Sequence, residues 1–312
     1  MMSFEAGDGV LYLNVGVKHM RNLAISLWSL RKIYDGPVAI LVGDDAVEKT
    51  YDWSDSRKGN VEVIPFPYSR AAKRNSVYAA KTSMHKHSPF MRSVFLDSDT
   101  VINKDFSDLL PIQEELVCWT SFANWDTKTE RKIRNRITSD GWPEVFPKSV
   151  AYQLANAYPA LNTGVIGFSR TSTRQMDKWN KATMGNICFI CDEVCAQLIA
   201  FDYPSNILDH RWNASPKYSF DTLGLDDLET SDAKIIHCHG NKGFKVEESH
   251  QHIHLHAWFS AFHANFLGIQ DWDNKVWMGR KHPSKFVKNI PLKYAAWCDE
   301  NGLDVGEIPA GK

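Results

Sequence analysis

The sequence lacks a net charge of either sign, because 36 basic residues face 37 acidic ones and the formal net charge is −1. A chain so balanced has no overall electrostatic attraction for nucleic acid or for an anionic membrane. It also lacks any run of eighteen apolar residues, and its first residues show no basic segment followed by a long apolar one. We therefore expect no membrane span, no nucleic-acid partner and a cytoplasmic location.

Cysteine is also scarce, with six in 312 residues, which is too few for a disulfide scaffold and favours reduced thiols. The stretch CFICDEVC places Cys188, Cys191 and Cys195 at spacings that suit a metal. Cys238 or His239 is a candidate fourth ligand. However, the cluster has no second C-x-x-C, and small buried cysteines on a helix explain the same spacing. We predict buried thiols rather than a zinc or iron–sulfur site.

Short apolar runs alternate with amphipathic stretches through the first half of the chain, as in βα units around a largely parallel sheet. Predicted strands are VLYLNVG, VAILVGD, VEVIPFP, the apolar run VFL before the aspartates of FLDSDT, ALNTGVIGF and AKIIHCHG. Predicted helices are MRNLAISLWSLRKIY, AAKRNSVYAAKTSMHKH and CDEVCAQLIAF. We predict an α/β domain over residues 1–268, followed by an extension over residues 269–312 whose role the sequence does not indicate.

The stretch SVFLDSDTVIN raises the question of why an apolar strand should end in two aspartates around one serine. Alternate residues of an extended chain point the same way, so Asp97 and Asp99 would project together. Two carboxylates so close raise each other's pKa unless a cation lies between them, and a divalent metal would serve. The alternative is a polar strand end or an Asx turn.

A second apolar run, KIIHCHGNKGF, leads into His237 and then Gly240 and Lys242. Histidine accepts Mn²⁺ more readily than Mg²⁺, while lysine and the backbone N–H groups around glycine suit phosphate. Alternatively, His237 is a hydrogen-bonded structural residue and GNKG is a simple turn.

Together, FLDSDT, LNTGV, CDEV and IIHCHG resemble, in order, the motifs of a family of nucleotide-sugar glycosyltransferases. That family includes glycogenin and bacterial galactosyltransferases and is known as glycosyltransferase family 8. The resemblance runs from about residue 10 to about residue 245 and includes Lys81, sixteen residues before Asp97. It implies the GT-A fold, a Rossmann-like mixed and mostly parallel sheet flanked by helices. It also implies transfer of a sugar from a nucleotide-sugar donor, a UDP-sugar, to an acceptor that the sequence does not identify.

The resemblance also assigns roles to individual residues. Asp97, Asp99 and His237 would hold Mn²⁺ or Mg²⁺, and Asp192 and Glu193 would be the catalytic pair facing the donor sugar. The implied donor-binding residues are His19, Lys81, Ser98, Asn162, Gly240 and Lys242. Of these, His19 would pack on the nucleobase, although a loop histidine without that role is the alternative.

Two positions depart from the family pattern. Its lysine normally stands six residues after the histidine, where this chain has Gly243, so Lys242 and Lys245 are rival phosphate ligands. The family's better-known retaining members carry glutamine where this chain has Glu193. A carboxylate there can be a nucleophile, a base or a solvated helix residue, and we expect retention of the anomeric configuration.

The histidines of HQHIHLHAW offer another candidate metal site if the segment is a strand, because all four would lie on one side. We predict instead a helix over IHLHAWFSAFHANFLG, with its apolar residues forming a core stripe. Two other functions remain open: a sugar-nucleotide pyrophosphorylase, and a non-catalytic module of the same fold that binds nucleotide sugars or glycans. The glycine-rich, basic loop of a pyrophosphorylase is largely missing from NVGVKHMRN, and the presence of both aspartates and His237 argues against the module.

Overall fold

The computed structural model of the protein describes residues 7–15, 20–43, 60–68, 76–111, 116–121, 160–185, 191–215, 219, 222–224, 230–238, 244–246 and 250–253. The strands are β1 Asp8–Val15, β2 Val38–Gly43, β3 Val61–Phe66, β4 Arg92–Leu96, β5 Thr100–Ile102, β6 Val117–Ser121, β7 Leu161–Ser169, β8 Ser205–Leu208, β9 Ile235–His237, β10 Phe244–Val246 and β11 His250–Ile253. The α-helices are α1 Met20–Arg31, α2 Ser76–Lys81, α3 Thr173–Gly185 and α4 Cys191–Asp202. Short 3-10 helices span Met84–Lys86, Ser107–Leu109, Arg170–Ser172 and His210–Trp212.

The main sheet has seven strands in the order β3-β2-β1-β4-β7-β6-β8. The first four are parallel to one another, β7 is antiparallel to both β4 and β6, and β8 is parallel to β6. All nine residues of β7 are buried, as expected for an interior strand covered on both faces. The predicted α/β architecture with a mixed, mostly parallel sheet is confirmed.

Two hydrophobic clusters cover the two faces of this sheet, because successive strand residues point to opposite sides. On one face, Val10 and Tyr12 of β1 pack with Leu23 and Leu27 of α1. On the other face, Leu11 belongs to a cluster that α3 and α4 cover. That cluster includes Trp119 of β6 and Trp179 of α3, whose rings meet edge to face with centroids 5.3 Å apart.

A small second sheet pairs β5 with β9 in antiparallel register, with Thr100 opposite His237. Since β5 follows β4 after three residues, this pairing brings the end of β9 to the carboxyl end of β4. The same pairing brings together the FLDSDT and IIHCHG motifs, which lie about 140 residues apart in the sequence.

Several predicted elements differ in extent from the structure. In its described part, the predicted helix AAKRNSVYAAKTSMHKH consists of α2 followed by the 3-10 helix Met84–Lys86. Residues 250–253 form β11, antiparallel to β10, so the strand alternative for HQHIHLHAW is confirmed over HQHI, and the predicted helix IHLHAWFSAFHANFLG is wrong at its first residue, Ile253. Both conformations fit a short run of alternating histidines, and pairing with β10 decides between them. The rest of the predicted helix and the extension 269–312 lie outside the described residues.

Among the described residues, no helix has both the length and the apolar character needed to cross a lipid bilayer.

Candidate active site

The two aspartates lie in a turn between β4 and β5 rather than on the strand itself. The Asp97 N–H donates to the Gly164 carbonyl at 2.7 Å, which extends the β4–β7 pairing by one residue. Both the N–H and the hydroxyl of Thr100 donate to the Asp97 carbonyl, at 3.2 and 2.8 Å. The prediction that Asp97 and Asp99 project from an extended strand is therefore wrong, because these bonds close a turn. Their carboxylates nevertheless converge on His237.

His237 ends β9 and faces both carboxylates. Its Nε2 lies 3.1 Å from Asp99 Oδ1 and 3.7 Å from Asp97 Oδ2. The backbone holds this arrangement, since the Cys238 N–H donates to the Asp99 carbonyl at 2.9 Å. Burial lowers the pKa of His237, but the attraction of Asp99 and Asp97 for the imidazolium outweighs it and leaves the pKa above 6.5.

A glycine lets the imidazole lie against β7. A Cβ at Gly164 would be 2.0 Å from His237 Cε1 and 2.4 Å from His237 Nδ1. The Gly of the LNTGV motif is therefore required by the close approach of the His237 ring.

Asp97, Asp99 and His237 each offer one ligand atom, and these three atoms all lie within 4.8 Å of one another. In the part of the chain that the structure describes, this is the one such group of three or more acidic, histidine or cysteine side chains. The His237 Nδ1 is 2.9 Å from Asn213 Oδ1, so Nδ1–H can donate there and leave the Nε2 lone pair for a metal. Two carboxylates and an imidazole oriented in this way fit a divalent cation.

Lys81, the last residue of α2, connects the aspartates to α4. Its Nζ lies 2.9 Å from Asp97 Oδ1, 3.0 Å from Asp97 Oδ2 and 3.7 Å from Asp192 Oδ2. The residue is only 8% exposed. Burial lowers the pKa of Lys81, but Asp97 and Asp192 more than offset this effect, and the net pKa is raised. The amine is therefore a fixed positive charge within the site and does not face solvent.

Asp192 and Glu193 occupy the first turn of α4, as predicted. Asp192 is 3% exposed, and its Oδ2 accepts a hydrogen bond from the Thr163 hydroxyl at 2.5 Å. Within the described part of the chain, Asp192 Oδ1 is buried and has no hydrogen-bond partner. Burial, only partly offset by Lys81, raises the pKa of Asp192 to about 6. Asp192 is therefore a buried carboxylate with one oxygen that bonds no other described residue.

Glu193 is half-buried and is held by Asn162, whose Nδ2 donates to Glu193 Oε1 at 2.6 Å. Asn162 and Thr163 follow one another on β7 and hold Glu193 and Asp192 respectively. The LNTGV and CDEV motifs therefore form one cluster.

The structure brings together seven of the eleven site residues that the sequence predicts: Lys81, Asp97, Asp99, Asn162, Asp192, Glu193 and His237. Ser98 is half-buried in the turn between the two aspartates. The others, His19, Gly240 and Lys242, lie outside the described residues, as do Lys245's side chain and Cys188. Cys191 and Cys195 are buried free thiols, as predicted.

Sequence reasoning missed Asn213 and Thr163. Asn213 is completely buried and bonds both His237 and Asn162. It follows the 3-10 helix His210–Trp212 in the stretch RWNAS, which carries no recognisable motif. Thr163 stands between two predicted motif residues, and its position next to Asn162 is the signal that could have identified it.

No protein-family model matches the chain, and no curated protein sequence does. Solved structures do match. The apo structure of WbbM, a bifunctional glycosyltransferase, superposes with a TM-score of 0.56 at 15% identity. The match covers 89% of this chain and 52% of that one, so the chain spans about half the length of WbbM.

A second match is the galactosyltransferase LgtC in complex with donor and acceptor sugar analogues. Its TM-score is 0.54 at 12% identity, and the match covers 88% of this chain and 100% of LgtC. The protein has a GT-A fold. This confirms the fold that the four sequence motifs predict.

Proposed function

We propose that the protein is a metal-dependent glycosyltransferase that moves a sugar from a nucleotide-diphosphate donor, a UDP-sugar, to an acceptor. The observation that carries the proposal is the convergence of Asp97, Asp99 and His237 at the carboxyl end of β4 in a GT-A fold. Ligands of open α/β sheets bind at this end of the strands. The galactosyltransferase LgtC, which shares the fold, was solved with donor and acceptor sugar analogues.

Asp97, Asp99 and His237 would hold Mn²⁺ or Mg²⁺. A divalent cation there supplies charge stabilisation for the leaving nucleoside diphosphate. Lys81 adds a second positive charge, because its amine is buried between Asp97 and Asp192 and its raised pKa keeps it protonated. This charge attracts the phosphate oxygens of the donor.

Asp192 and Glu193 would act on the donor sugar. Oδ1 of Asp192, which bonds no other described residue, is a suitable acceptor for a sugar hydroxyl, because a buried carboxylate oxygen gains from any donor that reaches it. Glu193, held by Asn162, supplies a carboxylate to the positive charge that develops at the anomeric carbon. Glu193 is either the nucleophile or an electrostatic stabiliser, and both roles are consistent with the proposed retention of configuration.

His19, Ser98, Gly240 and Lys242 complete the proposed donor site. We assign His19 to the nucleobase, and the other three to the phosphates or the donor sugar. Lys245 is the rival of Lys242. These assignments come from the resemblance to family 8.

A panel of nucleotide sugars tests the proposal without knowledge of the acceptor. A ligand that binds only the native state raises the melting temperature, so the cognate donor should stabilise the protein in the presence of Mn²⁺. The matched control is Asp99→Asn, which removes a charge but little volume and should abolish the Mn²⁺-dependent part of the shift. If no nucleotide sugar in the panel stabilises the wild-type protein with Mn²⁺, the proposed function is wrong.

The role of Glu193 is tested with Glu193→Gln, which keeps the size of the side chain and removes its charge. If Glu193 is the nucleophile, turnover falls by several orders of magnitude while donor affinity changes little. Full turnover in this variant would eliminate the nucleophile and leave the stabilising role. The anomeric configuration of the product, determined by NMR, tests retention, and an inverted product would contradict it.

A further inference from the structure

A continuous chain of buried hydrogen bonds connects His237 to Glu193 through two asparagines. His237 Nδ1 lies 2.9 Å from Asn213 Oδ1, and Asn213 Nδ2 donates to Asn162 Oδ1 at 3.0 Å. Asn162 Nδ2 then donates to Glu193 Oε1 at 2.6 Å. Both amides are almost completely buried, at 0% exposure for Asn213 and 5% for Asn162. No part of this path passes through the metal-facing atom of the imidazole.

The direction of every bond in this chain follows from one backbone group. The Gly164 N–H can only donate, and it donates to Asn162 Oδ1 at 2.9 Å. The side-chain oxygen Oδ1 of Asn162 therefore faces the Gly164 N–H, and Nδ2, at the other corner of the amide, must face Glu193. Asn213 also contacts Asn162 Oδ1. Because that oxygen can only accept, the group of Asn213 that faces it must be the NH₂.

A hydroxyl supports the same orientation of Asn213. Its Nδ2 also donates to Thr120 Oγ1 at 2.8 Å, while the Thr120 hydroxyl gives its own hydrogen to the Val165 carbonyl at 2.8 Å. With Nδ2 committed to these two acceptors, Asn213 presents Oδ1 to His237. A carbonyl oxygen only accepts, so Nδ1 of His237 carries a hydrogen. Asp99 Oδ1, 3.1 Å from Nε2, also only accepts, so without a metal the ring can donate from Nε2 too. A cation that replaces the Nε2 hydrogen would meet the lone pair of a ring whose other nitrogen stays bonded to Asn213.

We infer that Asn213 is a positioning residue that controls both halves of the site. On one side it accepts from Nδ1–H of His237, so that Nε2 becomes the metal ligand when a cation replaces its hydrogen. On the other side it holds the Asn162 amide with its NH₂ toward the Glu193 carboxylate. The part of this inference that concerns turnover rests on the proposed function, whereas the tautomer and the amide orientation do not.

Two substitutions of Asn213 distinguish its bond to His237 from its bond to Asn162. Asn213→Asp keeps an oxygen that accepts from His237 Nδ1–H, but it cannot donate to Asn162 Oδ1. Asn213→Leu has a similar size and removes both bonds. The matched control is Gln175→Leu, which removes another buried amide, on α3. Gln175 Nε2 donates at 2.6 Å to Oγ of Ser205, the first residue of β8.

The primary measurement is the tautomer of His237 in protein labelled with ¹⁵N-histidine, without metal, at a pH where the ring is neutral. The His237 signals are identified by their loss in His237→Gln. Because Asp99 competes for a hydrogen on Nε2, we expect a mixture of tautomers in wild type. The Nδ1–H fraction should be the same in Gln175→Leu, at least as large in Asn213→Asp, and clearly smaller in Asn213→Leu. This readout requires neither metal nor activity.

Calorimetric titration with MnCl₂ gives the second measurement. The dissociation constant for Mn²⁺ should rise about 10- to 100-fold in Asn213→Leu, as for other lost partners of metal ligands. It should stay within about threefold of wild type in Asn213→Asp and Gln175→Leu, because both keep an acceptor for Nδ1–H. In Asn213→Asp, turnover of the donor at saturating Mn²⁺ should instead fall about tenfold, equivalent to one hydrogen bond of about 1.4 kcal/mol, with KM unchanged.

The inference is overturned if Asn213→Leu leaves the Nδ1–H fraction of His237 as large as in wild type, or if Asn213→Asp loses Mn²⁺ affinity as strongly as Asn213→Leu. A purely structural role would produce that second result, because both variants would then act through the loss of stability. If Asn213→Leu does not fold, the aspartate variant decides by itself, since the inference requires retained Mn²⁺ affinity together with reduced turnover. A wild-type protein that binds no Mn²⁺ would contradict the proposed function, and the tautomer would still test Asn213.

Discussion

The substitution Gly164→Ala tests the metal site through a single added methyl group. Its Cβ would lie 2.0 Å from His237 Cε1, 2.4 Å from His237 Nδ1 and 2.9 Å from Asn162 Oδ1, whereas real Cβ contacts are essentially never below 3.0 Å. None of these atoms can move freely. The ring is held at Nδ1 by Asn213, and the Asn162 oxygen is held by the Gly164 N–H itself.

The size of the effect follows from these distances. Ordinary van der Waals contact begins at 3.4 Å, so His237 Cε1 must retreat by about 3.4 − 2.0 = 1.4 Å. Metal–ligand distances in a working site lie within about 0.2 Å of their preferred values, so such a shift removes the imidazole from the ligand set. Inserting a methyl into a packed site also costs roughly 1–3 kcal/mol of folding free energy. We expect Mn²⁺ affinity to fall by at least about tenfold while the protein still folds.

The assay is calorimetric titration with MnCl₂, together with thermal unfolding of the same samples. Gly185→Ala is the matched control, because it makes the same chemical change at the end of α3, where an added Cβ has no atom within 4 Å. The control should keep wild-type affinity and stability. If Gly164→Ala binds Mn²⁺ as tightly as wild type, then the close packing of His237 on β7 does not position a metal ligand, and the reasoning is refuted.

Three further predictions concern the charged groups of the site. Asp97→Asn and Asp99→Asn should each abolish Mn²⁺-dependent binding of nucleoside diphosphate in a thermal-shift assay and leave the circular-dichroism spectrum unchanged; retained binding in both variants would contradict the metal site. Lys81→Met should weaken UDP binding in calorimetry because it removes a buried positive charge, and unaltered affinity would make that lysine purely structural. Because the pKa of Asp192 is raised from 3.8 to about 6, its protonated form contributes folding stability that is fully present below pH 3.8 and is lost as pH rises through about 6. The melting temperature of Asp192→Asn should therefore rise relative to that of wild type between pH 4 and pH 7.5. A constant difference across that range would rule out the raised pKa.

Much of the fold can be predicted from the sequence because its strands are strongly marked. The apolar runs at β1, β2 and β4 have the length and continuity of buried parallel strands, and LNTGV continues into a strand that is buried along its whole length. The motif residues on these strands can also be identified in advance. Their order in the chain is enough to indicate the GT-A fold, which the superposition with LgtC confirms.

What the sequence could not indicate depends on contacts between distant segments. The Asp97 turn is closed by Thr100, and its position is fixed by the Gly164 carbonyl, which is 67 residues further along the chain. Asn213 acquires its role only when β6, β7 and β9 come together around it. At residues 250–253 the sequence is compatible with a strand or a helix, and pairing with β10 stabilises the strand. In each case the deciding partner is far away in sequence.

The charge balance of the site favours a bound cation. In the described part of the site, the four carboxylates of Asp97, Asp99, Asp192 and Glu193 are accompanied by one amine, that of Lys81. That amine is shared between Asp97 and Asp192, and the imidazole faces Asp97 and Asp99 together. The neighbouring carboxylates raise the pKa values of Lys81 and His237, and burial raises the pKa of Asp192 to about 6. Each shift favours the protonated form, which reduces the negative charge of the site. A divalent cation at Asp97 and Asp99 would take up the rest, and it would also draw the phosphates of a donor toward the amine of Lys81.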